Sequence, residues 1–276
     1  MNRVCIRQSE IEGVGLIDAS YANFAFRRHY HLEYHVGLIV GGAQRYHCRG
    51  ASHQAAPGHL VFMPPDQLHD GQAMDGRGYQ AKVFTLGARW LNRSLDELTG
   101  QKELEFKQHQ VRDPELFRGL VATHSFLGSR QPATLTRDCV SLEMLEQLVS
   151  RHGRVRLRRS PKLGRRNLDE IRDYMMAHLD QSIRLADLAA LCGLTEAGLT
   201  RAFKETTGLP PYAWLTRLRL EKAMQGLRQG AGVTQVAQSV GFYDQAHFSR
   251  MFKQRFGATP GQICAYAKGG RADDRL

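Results

Sequence analysis

The 276-residue sequence predicts an α+β chain of two domains: an N-terminal antiparallel β-barrel followed by helices, then an all-α domain made of two helix-turn-helix units. Three observations predict it. Residues 185–211 and 233–260 repeat one another, the net positive charge lies entirely in the second half, and the first half consists of short apolar runs punctuated by glycine and proline.

The N-terminal domain is expected over residues 1–150, with the barrel at about 20–90 and helices at about 88–150. Its opening, MNRVCIRQSEIEG, carries no sustained apolar run, and nowhere does the chain reach the roughly 18 apolar residues that a membrane-spanning helix needs. From residue 21 to about 86 the text is strand-like, with VGLIV at 36–40 and HLVFM at 59–63. Gly41-Gly42, Pro57-Gly58 and Pro64-Pro65 separate such runs, a spacing that favours an antiparallel sandwich or barrel over a parallel sheet with crossover helices.

Within FRRHYHLEYHVGLIVGG, His29, His31, Glu33 and His35 fall at every second residue, so a strand would set all four on one face as a polar row. His69 follows the turn-rich PPDQLHD. Directed into a barrel, such a row is costly to desolvate unless it binds something. Three imidazoles with an open position suit zinc, iron, copper or nickel. The same row equally suits hydrogen bonds to an organic ligand, or a strand face turned to solvent, and no motif requires a cofactor. His109, His124 and His178 have no partner in the pattern and are expected on the surface.

Three helices should follow: ARWLNRSLDELTG, PELFRGLVATHSFLG and TLTRDCVSLEMLEQLVSRHG. In the third, Leu135, Leu142 and Val149 recur every seven residues, with Val140, Leu145 and Leu148 on the same broad side. This stripe suits either packing on the chain's own barrel or an interface with a second copy. Residues 151–167, RHGRVRLRRSPKLGRRN, hold eight Lys/Arg and no acid, and read as an interdomain linker, solvated or touching phosphate.

The C-terminal domain is expected over residues 168–267. In LADLAALCGLTEAGLTRAFKETTG, Leu185, Leu188, Ala189 and Leu191 face inward, Gly193 allows a sharp turn, and Thr195 caps the next helix. Leu199, Ala202 and Phe203 mark the buried side of that helix. Opposite them lie Ala197, Arg201 and Lys204, with Thr200 beside them, free to meet a base edge or a phosphate. In the second unit Phe248, Met251 and Phe252 lie inside, while Gln245, Ala246, Ser249 and Arg250 lie outward and His247 is placed to donate to phosphate or base. Arginine bonds both acceptors of guanine, glutamine bonds adenine, and alanine and threonine methyls meet the thymine methyl. Ala197 and Gly198 leave little side chain ahead of Thr200, so the first unit is expected to read few bases.

The register pairs Gly193 with Gly241 at an offset of 48, then Arg201 with Arg250, Phe203 with Phe252 and Gly208 with Gly257 at 49, so the second turn holds one extra residue. PYAWLTRLRLEKAMQGLRQG joins the units as a helix of about 25 Å, which would set the two reading helices about 34 Å apart, one turn of duplex. Charge supports that use: residues 1–150 hold 16 Lys/Arg against 16 Asp/Glu, whereas residues 151–276 hold 22 against 11. A basic module joined to a neutral one is the pattern of a nucleic-acid binder. Five scattered cysteines without a C-x-x-C pair argue for a reducing compartment and against a disulfide frame or zinc finger. A cytoplasmic protein without membrane contact is expected.

LADLAALCGLT, RAFKETTGLPPYAWLTRLRLEKAMQGL and VTQVAQSVGFYDQAHFSRMFKQRFGATP together resemble the DNA-binding domain of the AraC/XylS family of bacterial transcription regulators, over about residues 168–266. The resemblance implies two helix-turn-helix subdomains on a long helix, reading asymmetric sites, with base contacts at Ala197, Thr200 and Arg201 and at Gln245, Ala246 and Arg250. The spacing H-x-H-x3-H followed by Gly42, and later PGHLVFMPPDQLH, resembles the two motifs of the cupin barrel, the sensor domain common in this family. The position of His35 is usually an acidic metal ligand in enzymatic cupins; histidine there leaves His29, His31, His35 and His69 as the candidate metal set. The expected function is a sequence-specific transcription regulator controlled by a small-molecule effector in the barrel, with no catalytic residues. Its expected partners are double-stranded promoter DNA, the effector, a second copy of the chain and RNA polymerase. The rivals are a metal-sensing regulator, a metal-dependent cupin enzyme fused to a DNA-binding domain, and a nonspecific architectural binder, which would show no sequence preference.

Overall fold

The structure, a computed structural model, describes residues 2–129, 133–158 and 162–269, the last four by backbone alone. The chain divides into two compact units, one of Met1–Pro132 with Val140–Arg159, the other of Ala133–Cys139 with Ser160–Leu276.

The first unit is built on two antiparallel sheets. One runs in the order β1 (Arg3–Gln8), β2 (Val14–Tyr21), β9 (Tyr79–Leu86), β4 (Tyr34–Gly42), β7 (His59–Met63) and β10 (Gln110–Arg112). The other runs β3 (Ala25–His29), β8 (His69–Ala73), β5 (Gln44–Cys48) and β6 (Ala51–Ala55). Together they form a cupin-like sandwich rather than a fully closed barrel. Alternation of side chains makes each central strand serve two layers. On β4, Tyr34, Val36 and Leu38 are buried on one face, whereas His35, Gly37 and Ile39 face the space between the sheets. There Ile39, Tyr46, Val61, Met63, Tyr79 and Ala81 form a core cluster. At Gly42 and Gly78 the backbone takes φ of 63° and 77°, and a Cβ at Gly42 would strike the Gly78 carbonyl.

The sandwich starts earlier than residue 20. β2 buries Val14 and Leu16 completely, and β1 adds to its outer edge. β1 escaped notice because all six of its residues are exposed, so no continuous apolar run marks it.

The three expected helices are α1 (Ala88–Thr99), α2 (Pro114–Leu127) and α3 (Thr134–His152). Asp113 caps α2 by accepting from the Leu116 amide, and it also receives Arg151 and His152 at 2.8 and 3.0 Å. Of the α3 stripe, Leu135, Leu142, Leu145, Leu148 and Val149 are at most 6% exposed and Val140 is half-buried, which favours packing within the chain. His124, expected on the surface, is fully buried on α2 beside Phe84, and burial lowers its pKa to about 4.

The expected linker is shorter than 151–167. Arg151 and His152 end α3, and α4 (Arg165–Ala177) takes up Arg165 to Asn167, while residues 159–161 lie outside the described residues. At its two ends arginines find acids: Arg151 in α3 meets Asp113 and Glu115, and Arg166 in α4 meets Glu170 one helical turn on.

The second unit continues with α5 (Leu185–Leu191), α6 (Glu196–Thr207), α7 (Pro211–Arg228), α8 (Val233–Ser239), α9 (Gln245–Phe256) and α10 (Pro260–Gly269). The duplication holds at every joint. Thr195 and Asp244 cap α6 and α9 with their side chains, and Gly208 and Gly257 end them at φ of 75° and 74°. Phe203, Phe248 and Phe252 are fully buried. Leu191, expected inside, is 39% exposed at the end of its short helix. On α7, Arg219 donates to the Leu179 and Gln181 carbonyls at 3.0 Å, satisfying chain ends after α4.

Candidate functional site

Two candidate sites come from separate parts of the sequence. In the first unit, a cavity of about 250 Å³ lies between the sheets, walled by apolar side chains such as Ile17, Phe26, Val61 and Tyr79, with His29, His31, His35 and His69 at one end. The four histidines do converge, though not as a row on one strand. His29 closes β3, His31 lies in the following loop, His35 is on β4 and His69 opens β8. Turn and sandwich, rather than strand alternation, gather them. Ring centroids stand 4.9 Å apart for His29 and His31, 4.4 Å for His29 and His69, and 5.0 Å for His31 and His69, while His35 stacks on His31 at 3.8 Å. Glu33 is not among them: its side chain is 54% exposed and its carboxylate stays 3.9 Å from His35 Nε2.

The backbone sets the tautomers. His29 Nδ1 donates to the Arg27 carbonyl and His69 Nδ1 to the Gln67 carbonyl, each at 2.8 Å. A carbonyl only accepts, so in the neutral rings Nε2 of both carries the lone pair. Burial, then the neighbouring rings, lowers the pKa of His31 to about 4 and of His35 to about 3; burial lowers that of His69 too. Ligand nitrogens of His29, His31 and His69 lie within 4.8 Å of one another. Two imidazoles anchored through Nδ1 to carbonyls, His29 and His69, with His31 beside them, make a donor set that fits a divalent metal. Among the described residues lining the cavity, none is Lys or Arg. Sequence reasoning missed Tyr21, Phe26 and Tyr79 in the wall; strand alternation across paired β2, β3 and β9 was the available signal.

In the second unit, α9 presents the expected face. Gln245, Ala246, His247 and Arg250 are exposed and Ser249 is half-buried, while Phe248 and Phe252 anchor the opposite side. Asp244 accepts from the Ala246 and His247 amides at 2.9 and 3.2 Å, and Thr234 of α8 donates to the Gln245 side chain at 2.9 Å. The first turn of α9 is thus held rigid with its side chains outward. The extra residue of the second turn is Tyr243, inserted between Phe242 and the cap, and it is 88% exposed.

The corresponding helix of the first helix-turn-helix, α6, departs from expectation. Ala197 and Thr200 are only 1% and 2% exposed, and the Thr200 hydroxyl donates back to the Glu196 carbonyl at 2.9 Å. Neither is presented for a base edge. Arg201 is half-buried and Lys204 exposed.

Comparison with known proteins agrees with this division. Residues 13–145 match the AraC-like ligand binding domain and residues 188–265 a helix-turn-helix domain. The HTH-type transcriptional regulator YbfI of Bacillus subtilis is 26% identical over 223 residues, covering 80% of this chain and 81% of that one. The HTH-type transcriptional activator RhaS of Escherichia fergusonii is 30% identical over 183 residues, 55% of this chain and 66% of its own. Among solved structures, an apo form of ToxT from Vibrio cholerae aligns over 93% of this chain and 98% of its own at 14% identity and a TM-score of 0.41. Among the described residues no helix is long and apolar enough to cross a membrane. With a ligand-binding sandwich ahead of a duplicated helix-turn-helix unit, the chain belongs to the AraC/XylS family of DNA-binding transcription regulators.

Proposed function

We propose that α9 is the principal base-reading element, and that the histidine-ended cavity of the first unit holds the effector that controls it. The exposed, internally braced face Gln245, Ala246, His247, Arg250 carries the reading. Lys204, with Arg201 behind it, serves backbone phosphate from α6. Binding of the effector changes promoter engagement by its differential affinity for two states of the protein. A second copy and RNA polymerase complete the proposed partners; family membership is what supports them.

Arg250→Ala tests the reading role. Operator affinity should fall by about 1–3 kcal/mol with relaxed choice at one base, measured by competition binding against single-base operator variants. Equal loss on operator and random DNA would leave only a phosphate contact.

A second reading, metal sensing, is favoured by the fixed tautomers of His29 and His69. A divalent ion held by His29, His31 and His69 would offer a Lewis-acidic position to an effector oxygen. We read the cluster as a sensor rather than a catalytic centre because the acid at the enzymatic position is replaced by His35 and Glu33 points to solvent. Metal content of the full chain after exposure to zinc, against His31→Ala, decides it. One metal per chain, lost in the variant, supports the metal reading; none in either assigns the cavity to an organic effector that donates to the ring lone pairs.

A further inference from the structure

The outer face of the six-stranded sheet carries a second hollow, of about 310 Å³. Strand alternation separates it from the histidine cavity: Tyr34 lines it, and the adjacent His35 turns to the other side. Its floor is aromatic. Phe62, 1% exposed, stacks on Phe106 at 3.9 Å, and Tyr34 meets Phe106 edge-on at 5.8 Å. Backbone pairing fixes its walls, since Lys107 donates to the His152 carbonyl, Arg154 to Glu105 and Phe62 to His109, at 2.8–2.9 Å.

Charge at the rim is unbalanced. Arg49 and Arg154 are cationic and Glu105 is the single carboxylate lining the hollow. Arg154 reaches Glu105 at 3.7 Å with both side chains more than 60% exposed, a pair worth little in water. Arg49 has no carboxylate partner among the described residues; its Nε donates to the neutral Gln67 amide at 3.1 Å. Arg49 lines the hollow together with Tyr34 and His109. Burial, then His53 and Arg49, lowers the pKa of His109, which disfavours a further charge there. Arg49 also stands at φ of 53° in a two-residue turn with Gly50, a place that favours asparagine, aspartate or glycine.

We propose that this hollow binds an organic carboxylate of small apolar body. The carboxylate sits between Arg49 and Arg154, and the body packs against Leu104, Pro64 and Phe106. Burial raises the Tyr34 pKa, so its hydroxyl stays protonated as a donor. Glu105 opposes the ligand and sets its affinity. Paired guanidiniums recognise a carboxylate's planar oxygens by charge-assisted bonds that an amide cannot reproduce.

The test is calorimetric titration of the full chain with benzoate and with benzamide, its neutral isostere. Benzoate should bind and benzamide should bind at least about tenfold more weakly. Arg49→Gln and Arg154→Gln should each weaken benzoate about tenfold, while Glu105→Gln should tighten it several-fold, to about three to five times. Gain in one variant and loss in the others separates recognition from misfolding, which only loses. Absence of benzoate binding, equal affinity for the two probes, or indifference to both arginine variants overturns the proposal.

Discussion

Replacing His35 by leucine removes one titrating ring from the cavity while nearly keeping its volume. The His35 side chain is 14% exposed, and burial together with His31, His69 and His29 holds its pKa at about 3 instead of 6.5. In the unfolded chain the ring titrates near its ordinary value, about 6.5. On acidification below 6.5 the unfolded chain therefore takes a proton that the folded state refuses until about pH 3. Each pH unit lost within that window destabilises the fold by about 1.4 kcal/mol, and above the window the effect vanishes. From pH 6.5 to 5 this amounts to about 2 kcal/mol, the unit value taken over that interval. His31, with a pKa of about 4, adds a slope of the same sign, reduced because it is more open to solvent. The assay is urea unfolding at several pH values with a chelator present. Buried Trp90 in the first unit is the reporter, in a Trp214→Phe background that silences the second unit. The wild type should lose about 2 kcal/mol more than His35→Leu between pH 6.5 and 5. Parallel stability curves for the two proteins would refute the burial argument.

Two further perturbations probe other parts of the argument. Asp244→Ala deletes a cap that accepts from two amides, so the second unit should lose about 1 kcal/mol of thermal stability, and operator binding should weaken as the first turn of α9 frays; an unchanged melting curve would count against the bracing role. Gly42→Ala drives a Cβ into the Gly78 carbonyl at a left-handed backbone position, and should cost about 3 kcal/mol or more of the first unit's stability, read from the same Trp90 transition.

How much of this was readable in the letters depends on what each pattern encodes. The duplication was readable because its residues recur at an offset of 48 before the turn and 49 after it: Gly193 and Gly241, Gly208 and Gly257, Phe203 and Phe252 hold the same backbone and core roles twice. The histidine set was readable as a set but not as a geometry. Its members arrive from a strand end, a loop, and two further strands, and a period-of-two argument describes only one strand at a time. β1 was missed because its alternation is short, with only Val4 and Ile6 on one face and every residue exposed, so no apolar run stands out from its neighbours. Ala197 and Thr200 were misread for the opposite reason. A helical wheel knows the core side of its own unit, and burial of the far side is decided by packing that no local period contains.

Val4 and Ile6 of β1 wall the histidine cavity, yet they are 46% and 69% exposed and their strand pairs with β2 alone. Exchanges at such positions alter stability by about 0.5 kcal/mol or less, whereas exchanging Ile39 or Val61 disturbs a close-packed interior. On the proposed reading of the cavity as the effector site, exchanges at Val4 and Ile6 retune ligand preference at little cost to folding.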